Sequence, residues 1–225
     1  MVLRSDPSSL DSEGTRVIPT AASSRLFVFG PQCLSFDQQS ANCLRSQLQR
    51  SDELIWILDA LSALPCFWDT LKKSVSVLQQ SNGQTHLQKL AIWIRTGDPE
   101  RLAWPLPNVL LTPLVVALHM VELKKAAPFM YDNADPSSHI PARVLGLCTG
   151  LLSSMAVACS NSWSELKHNG SAAIRLAMLI GAVVDAVDES LPQSSQAASL
   201  SVFWTQNGGR QKLESVIEAV DKVSP

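Results

Sequence analysis

No C-x-x-C pair occurs in this sequence, and its five cysteines (Cys33, Cys43, Cys66, Cys148 and Cys159) are odd in number. That argues against a zinc ribbon or a disulfide framework and fits a reducing compartment. Charge of one sign is equally scarce: 18 Lys and Arg stand against 20 Asp and Glu, a formal net charge of −2. Without a basic run or interleaved aromatics, the chain has no general electrostatic reason to bind nucleic acid or an anionic lipid surface. The polar segment 1–24, rich in Ser, Asp and Thr, lacks the apolar core of a signal peptide. Long hydrophobic runs are missing too. The most apolar windows, 109–118 and 144–159, are too short or too broken by Gly and Ser to span a membrane and read as buried helices. No internal repeat is visible, and low complexity is confined to Ser-rich spots near 5–24 and 189–201. The expectation is a soluble cytoplasmic protein with neither a nucleic-acid nor a membrane partner.

What remains is a chain of 225 residues, 46% hydrophobic and 17% charged, enough for one large domain or a domain with a small appendage. Residues 1–24 read as a flexible lead-in, 25–192 as the core, and 193–225 as the start of a small, incomplete subdomain. Arg25 to Gly30, closed by Gly-Pro, reads as a buried strand. Helical stretches follow over 35–49 with Asp37 as cap and Cys43, Leu44 and Leu48 on one face, over 52–64, over 67–80 after Pro65, and over 84–95. The segment 109–125 reads as a buried helix starting near Thr112-Pro113, where proline is tolerated in a first turn. Residues 126–141 read as loop, 164–191 as a long helix, 200–205 as a strand and 211–220 as a helix. The sum is a helix-rich α/β chain with too few strands for a sheet of ordinary size.

The most informative stretch is Gly146-Leu147-Cys148-Thr149-Gly150. An apolar strand pattern precedes it and an apolar helix pattern follows. Strand, sharp turn and helix are the setting of a nucleophile elbow, whose two glycines permit the turn and whose central residue is pushed out toward substrate. Here that residue is cysteine. A thiol is partly ionised near neutral pH, and a helix N-terminus favours negative charge beside it. Such a group suits thioester exchange: the acyl group leaves one sulfur, rests on Cys148 and passes to another thiol. The tetrahedral intermediate needs two hydrogen-bond donors. The backbone N–H of Thr149 is the natural first, and the second must come from a distant loop.

Further segments carry a resemblance. Leu26-Phe27-Val28-Phe29-Gly30-Pro31-Gln32, continuing through Leu34-Ser35-Phe36-Asp37, resembles the opening of the starter-unit acyl-carrier-protein transacylase domain of fungal non-reducing polyketide synthases. Asn108 to Leu114 resembles that family's helix before the active-site strand. His139-Ile140-Pro141 through Leu152 resembles its active-site segment, and Ala173 to Ala177 the following helix. The resemblance covers about residues 25 to 220. It implies an acyltransferase-like (α/β-hydrolase-like) core with a ferredoxin-like small subdomain. It implies that Cys148 takes a starter acyl group from acyl-CoA or a fatty acid synthase carrier and delivers it to the phosphopantetheine thiol of an acyl carrier protein or polyketide synthase. No bound cofactor or metal is expected. Gln32 matches the family's opening-loop glutamine, whose backbone N–H is the second oxyanion donor.

The chain departs from the family downstream. The family's base is a histidine on a loop beyond the small subdomain, and the sequence ends at Pro225 before any counterpart, as a C-terminally truncated relative would. Its histidines are His86, His119, His139 and His168. His119 reads as a packed residue of an apolar helix, His139 as part of the loop before the active strand, and the other two as surface residues. Without a base the departing thiol loses a proton donor, help worth roughly 10²–10⁴-fold in rate. Three readings therefore stand: an active transacylase-type domain; an inert or partner-dependent interaction module of a polyketide pathway; and, least supported, a thiol-redox protein. Cys33, Cys43, Cys66 and Cys159 read as core residues, Arg175 as a structural contact to a neighbouring loop, Asp185 and Asp188 as a solvated helix edge, and the six tryptophans as packing residues.

Overall fold

The computed structural model describes residues 25–31, 36–79, 81–98, 101–128 and 142–190. Contacts divide the chain into residues 1–190 and 191–225. The second unit lies outside the described residues, and with it the strand expected at 200–205 and the helix expected at 211–220. Within the first unit the order is β1 (Arg25–Phe29), α1 (Gln38–Arg50), α2 (Ile55–Ser62), α3 (Leu64–Ser74), α4 (Gly83–Thr96), α5 (Asn108–Ala126), β2 (Ala142–Gly146), α6 (Gly150–Ala158) and α7 (Trp163–Ser190). The helix-rich α/β expectation holds for these residues.

The strands pair in parallel from Arg25 opposite Ala142 to Phe29 opposite Gly146. Alternation along β1 puts Phe27 and Phe29 into the core and leaves Leu26 and Val28 exposed. Leu145, opposite Val28, is exposed as well. Helices thus cover one face of the pair and leave an apolar face open, so β1 is half-buried and not, as expected, fully buried.

The centre of the unit is α5, apolar on nearly every side, with Val109, Leu110, Leu114, Val116, Ala117, Met120 and Val121 buried. Against it lies α7, which buries Ile174, Ala177, Met178 and Ala182 and exposes Leu176, Ile180, Val184 and Val187. Two helical stretches, Asp52–Ser74 and Trp163–Glu189, are long and apolar enough to cross a membrane by length and composition. They are not the windows that the sequence singles out. In the second, much of that apolarity is spent on α5.

Several helix boundaries are set by distant side chains. The sequence places the start of α5 near Pro113; the helix begins at Asn108, leaving Pro113 more than a turn inside. The physical reason lies on α7. Asp185 Oδ1 accepts from the backbone N–H and the Nδ2 of Asn108, each at 2.9 Å, and its Oδ2 accepts from the N–H of Val109 at 2.8 Å. These are orphan donors of a helix start, satisfied here by a carboxylate. Asp185 is therefore a cap and not the solvated edge expected of it, while Asp188 is exposed. An added Cβ at Gly181, one turn earlier, would overlap the Asn108 carbonyl, so the two helices meet backbone to backbone.

At the other end of α4, Gly97 takes a left-handed conformation, φ 74°. Arg45 of α1 donates from Nε to the Ile94 carbonyl at 2.9 Å and from Nη2 to that of Arg95 at 3.3 Å. By contrast α1 carries its own cap, as expected: Asp37 Oδ1 accepts from the Ser40 N–H at 2.8 Å. Pro65 stands in the first turn of α3 and not before it. Trp56, Trp68 and Trp93 are buried, and the rings of Trp68 and Trp56 occupy the space that Gly83 and Gly170 leave open.

Asp185→Ala is expected to lower the unfolding free energy by about 1.5–3 kcal/mol, the scale of hydrogen bonds to a charged acceptor. The reading is a lower urea midpoint at unchanged slope. Asp188→Ala in the same assay is expected to stay within about 0.5 kcal/mol of the parent, as an exposed substitution does.

Candidate active site

The expected strand, sharp turn and helix are present. β2 ends at Gly146, α6 begins at Gly150, and the turn between them is closed by the Gly150 N–H donating to the Leu147 carbonyl at 3.0 Å. Next, the Leu151 N–H donates to the Cys148 carbonyl at 2.9 Å and the Leu152 N–H to that of Thr149 at 3.1 Å. Cys148 sits at the apex with φ 55°, the one non-glycine residue with positive φ among the described residues. A left-handed backbone costs an L-residue roughly 1–2 kcal/mol and persists only where the surroundings dictate it. Its side chain is exposed.

Both glycines are required by close approach. An added Cβ at Gly146 would overlap the Gly150 carbonyl and Ser154 Oγ, and one at Gly150 would overlap the carbonyls of Phe29 and Gly30. The Phe29 carbonyl in turn accepts from the Leu147 N–H at 3.0 Å, carrying the strand pairing one residue past β2. Three backbones (the end of β1, the end of β2 and the start of α6) therefore converge, with the Ser154 hydroxyl packed beside them.

Around the sulfur, Thr149 Oγ1 lies 3.9 Å from Sγ, the long end of a weak sulfur contact. The Thr149 N–H has no hydrogen-bond partner among the described residues. Leu147 and Leu151, on either side of the turn, are 58% and 51% exposed, so the thiol stands among bare apolar side chains. Gln32 and His139 lie outside the described residues. The chain leading to Gln32 does reach the elbow, since Gly30 is beside Gly150. No imidazole is hydrogen-bonded to Sγ among the described residues. His119 is committed elsewhere: its Nδ1 lies 2.9 Å from Ser153 Oγ and its ring packs on Phe29, centroids 5.6 Å apart. Burial pushes its pKa down to about 4, so it is neutral near pH 7.

The other thiols are not where the sequence suggests. Cys43, Cys66 and Cys159 are exposed, not core; Cys43 faces outward from α1 and accepts from Gln47 Nε2 at 3.1 Å. Cys33 lies outside the described residues. Arg175 stacks over the Phe67 ring at 5.7 Å, a packing contact between α7 and α3 where a loop contact was expected. Ser153 and Ser154 escape the sequence reading, although two serines inside the apolar run from Leu151 to Ala158 are a visible signal. Both are buried beneath the elbow, and Ser154 Oγ donates to the Leu151 carbonyl at 2.9 Å.

Residues 71–224 match the family described as starter unit:ACP transacylase in aflatoxin biosynthesis. The chain belongs to that family. Among curated proteins, the chain is similar to a citrinin polyketide synthase of Monascus ruber, 42% identical over 201 residues. It is 38% identical over 199 residues to a clavatol synthase, claF, of Penicillium crustosum. It is 38% identical over 203 residues to a non-reducing polyketide synthase, pkdA, of Emericella nidulans. These alignments take in 87%, 86% and 88% of the chain and 8% of each relative's length.

Gly150→Ala is expected to cost about 1–3 kcal/mol, because the Cβ meets main-chain carbonyls that have no rotamer to yield. The same variant should slow alkylation of Cys148 by iodoacetamide relative to Cys66, read by peptide mass spectrometry.

His119 also sets a pH dependence. The unfolded chain protonates it near 6.5 and the folded chain near 4, so the unfolded state holds more protons between those values. Its contribution to stability is complete above about pH 6.5 and falls away as pH drops toward 4. The loss of urea midpoint between pH 6.5 and 4.5 is expected to be smaller in His119→Phe than in the parent.

Proposed function

We propose that this chain is a transacylase-type domain of fungal polyketide biosynthesis that loads a starter acyl group through a thioester on Cys148. The observation that carries the reading is an exposed thiol held at positive φ on a strand–turn–helix apex, in a chain of the transacylase family. In the first half-reaction the Cys148 sulfur, as thiolate, attacks the carbonyl carbon of an acyl-CoA thioester. The carbon–sulfur bond to CoA breaks, and the proton lost from Cys148 ends on the departing CoA thiol. In the second, the phosphopantetheine thiol of an acyl carrier protein attacks acyl-Cys148 and the Cys148 thiol is regenerated. The negative oxygen of each intermediate is met by the Thr149 N–H, which is free among the described residues, and by the backbone N–H of Gln32. The acyl chain lies along Leu147 and Leu151. This reading includes an acyltransferase-like core and a reducing, cytoplasmic setting, and it needs no bound metal or cofactor, since the thioester substrate is already activated.

A second reading, an inert or partner-dependent interaction module, is favoured by one observation: no imidazole is bonded to Sγ among the described residues.

Incubating the purified chain with acetyl-CoA or hexanoyl-CoA and weighing it intact separates the two. Transfer predicts a single acyl adduct that is absent from Cys148→Ala and is discharged by an acyl carrier protein. A folded parent that gains no acyl mass yet binds the carrier protein supports the module.

A further inference from the structure

We propose that His119 and Ser153 form a strut beneath the elbow that holds Cys148 in its attacking position, which makes His119 a positioning residue for the transfer proposed above, on which this inference rests. The same imidazole touches a side chain from each of two of the three elements that converge there. Its ring lies against Phe29, the last residue of β1, centroids 5.6 Å apart at an interplanar angle of 57°. Its Nδ1 is 2.9 Å from the hydroxyl of Ser153, in the first turn of α6. The Phe29 carbonyl in turn receives the Leu147 N–H and abuts Gly150, so both ends of the Cys148 turn rest on a residue whose ring His119 packs against.

The Ser153 side chain is fully buried, so losing the imidazole strands a hydroxyl in the core. The apolar helix wall around α5 makes a polar side chain there costly unless it is paired, and Ser153 is the pair. His119 stays neutral near pH 7, so the contact is a neutral hydrogen bond with no charge to carry into the core. With Nδ1 engaged by Ser153, the ring acts through the backbone of the turn. A residue held at positive φ relaxes when its surroundings stop dictating it, and the sulfur moves with it.

The test uses the full chain and reads alkylation of Cys148 by iodoacetamide from pH 6 to 10, peptide by peptide, with Cys43, Cys66 and Cys159 as references in the same sample. His119→Phe keeps the ring and removes Nδ1; Ser153→Ala removes the hydroxyl; His119→Asn returns a polar atom near the place of Nδ1. Each of the first two is expected to slow Cys148 by about tenfold against the reference thiols, the scale of a small misplacement of a reacting group. His119→Asn is expected to recover part of that loss. The double variant His119→Phe/Ser153→Ala is expected to be no slower than either single, because both remove one shared contact. An unchanged Cys148 profile in folded Ser153→Ala overturns the strut, whether or not His119→Phe folds. Alkylation needs no acyl donor, so a parent that shows this coupling but takes no acyl group from acyl-CoA removes the transfer reading and leaves the strut standing.

Discussion

Every feature that makes Cys148 available depends on backbone meeting backbone at Gly146 and Gly150. Because neither position carries a Cβ, the end of β1 lies directly against the start of α6, and the three residues between β2 and α6 must turn sharply. That sharpness forces Cys148 to positive φ and turns its side chain out of the core. A wider turn would let the cysteine relax into an ordinary conformation and pack inward, as cysteines commonly do. The chemistry proposed for the thiol is a consequence of crowding beneath it.

That crowding is maintained by the helix pair behind it. α5 is apolar on almost every side because it is covered on almost every side, and α7 runs along it with backbone contact at Gly181. Two polar side chains set in this apolar frame are matched by partners across it: Asp185 by the first N–H groups of α5, and His119 by Ser153. Buried polar groups that are paired in this way fix one arrangement of helices where apolar contact alone would allow several. The open apolar face of the strand pair is the reverse case. Leu26, Val28 and Leu145 have no such cover among the described residues, and parallel strands are normally covered on both sides.

Much of this was legible in the sequence where the signal is local. The apolar run of Arg25 to Gly30, the cap at Asp37, the long helix from 164 and the glycine–cysteine–glycine turn rest on neighbours within a few residues, and each is found close to where the pattern puts it. The start of α5 was misplaced because its cap is 77 residues away, on α7. Pro113 is a strong local mark for a first turn, and a tertiary contact overrides it by supplying the missing acceptors five residues earlier. The place of Cys43 beside Leu44 suggests core, yet helical spacing turns it to the outer side of α1. His119 was recognised as packed, but that its packing bears on Cys148 could not be read from a spacing of 34 residues to Ser153. The role of the small polar pair at 153–154 was hidden for the same reason: serine in a helix announces no partner.

The long-distance caps have a consequence for how the chain assembles. Arg45 closes the end of α4 from 49 residues upstream, and Asp185 opens α5 from far downstream. The end of α4 is also marked locally by the left-handed Gly97, whereas the start of α5 is not written in the segment it belongs to. A peptide cut to match α5 would fray at its first turn, because the carboxylate that caps it has been left behind. The helices acquire their final lengths together with the tertiary structure, so their ends report on the completed fold and melt with it.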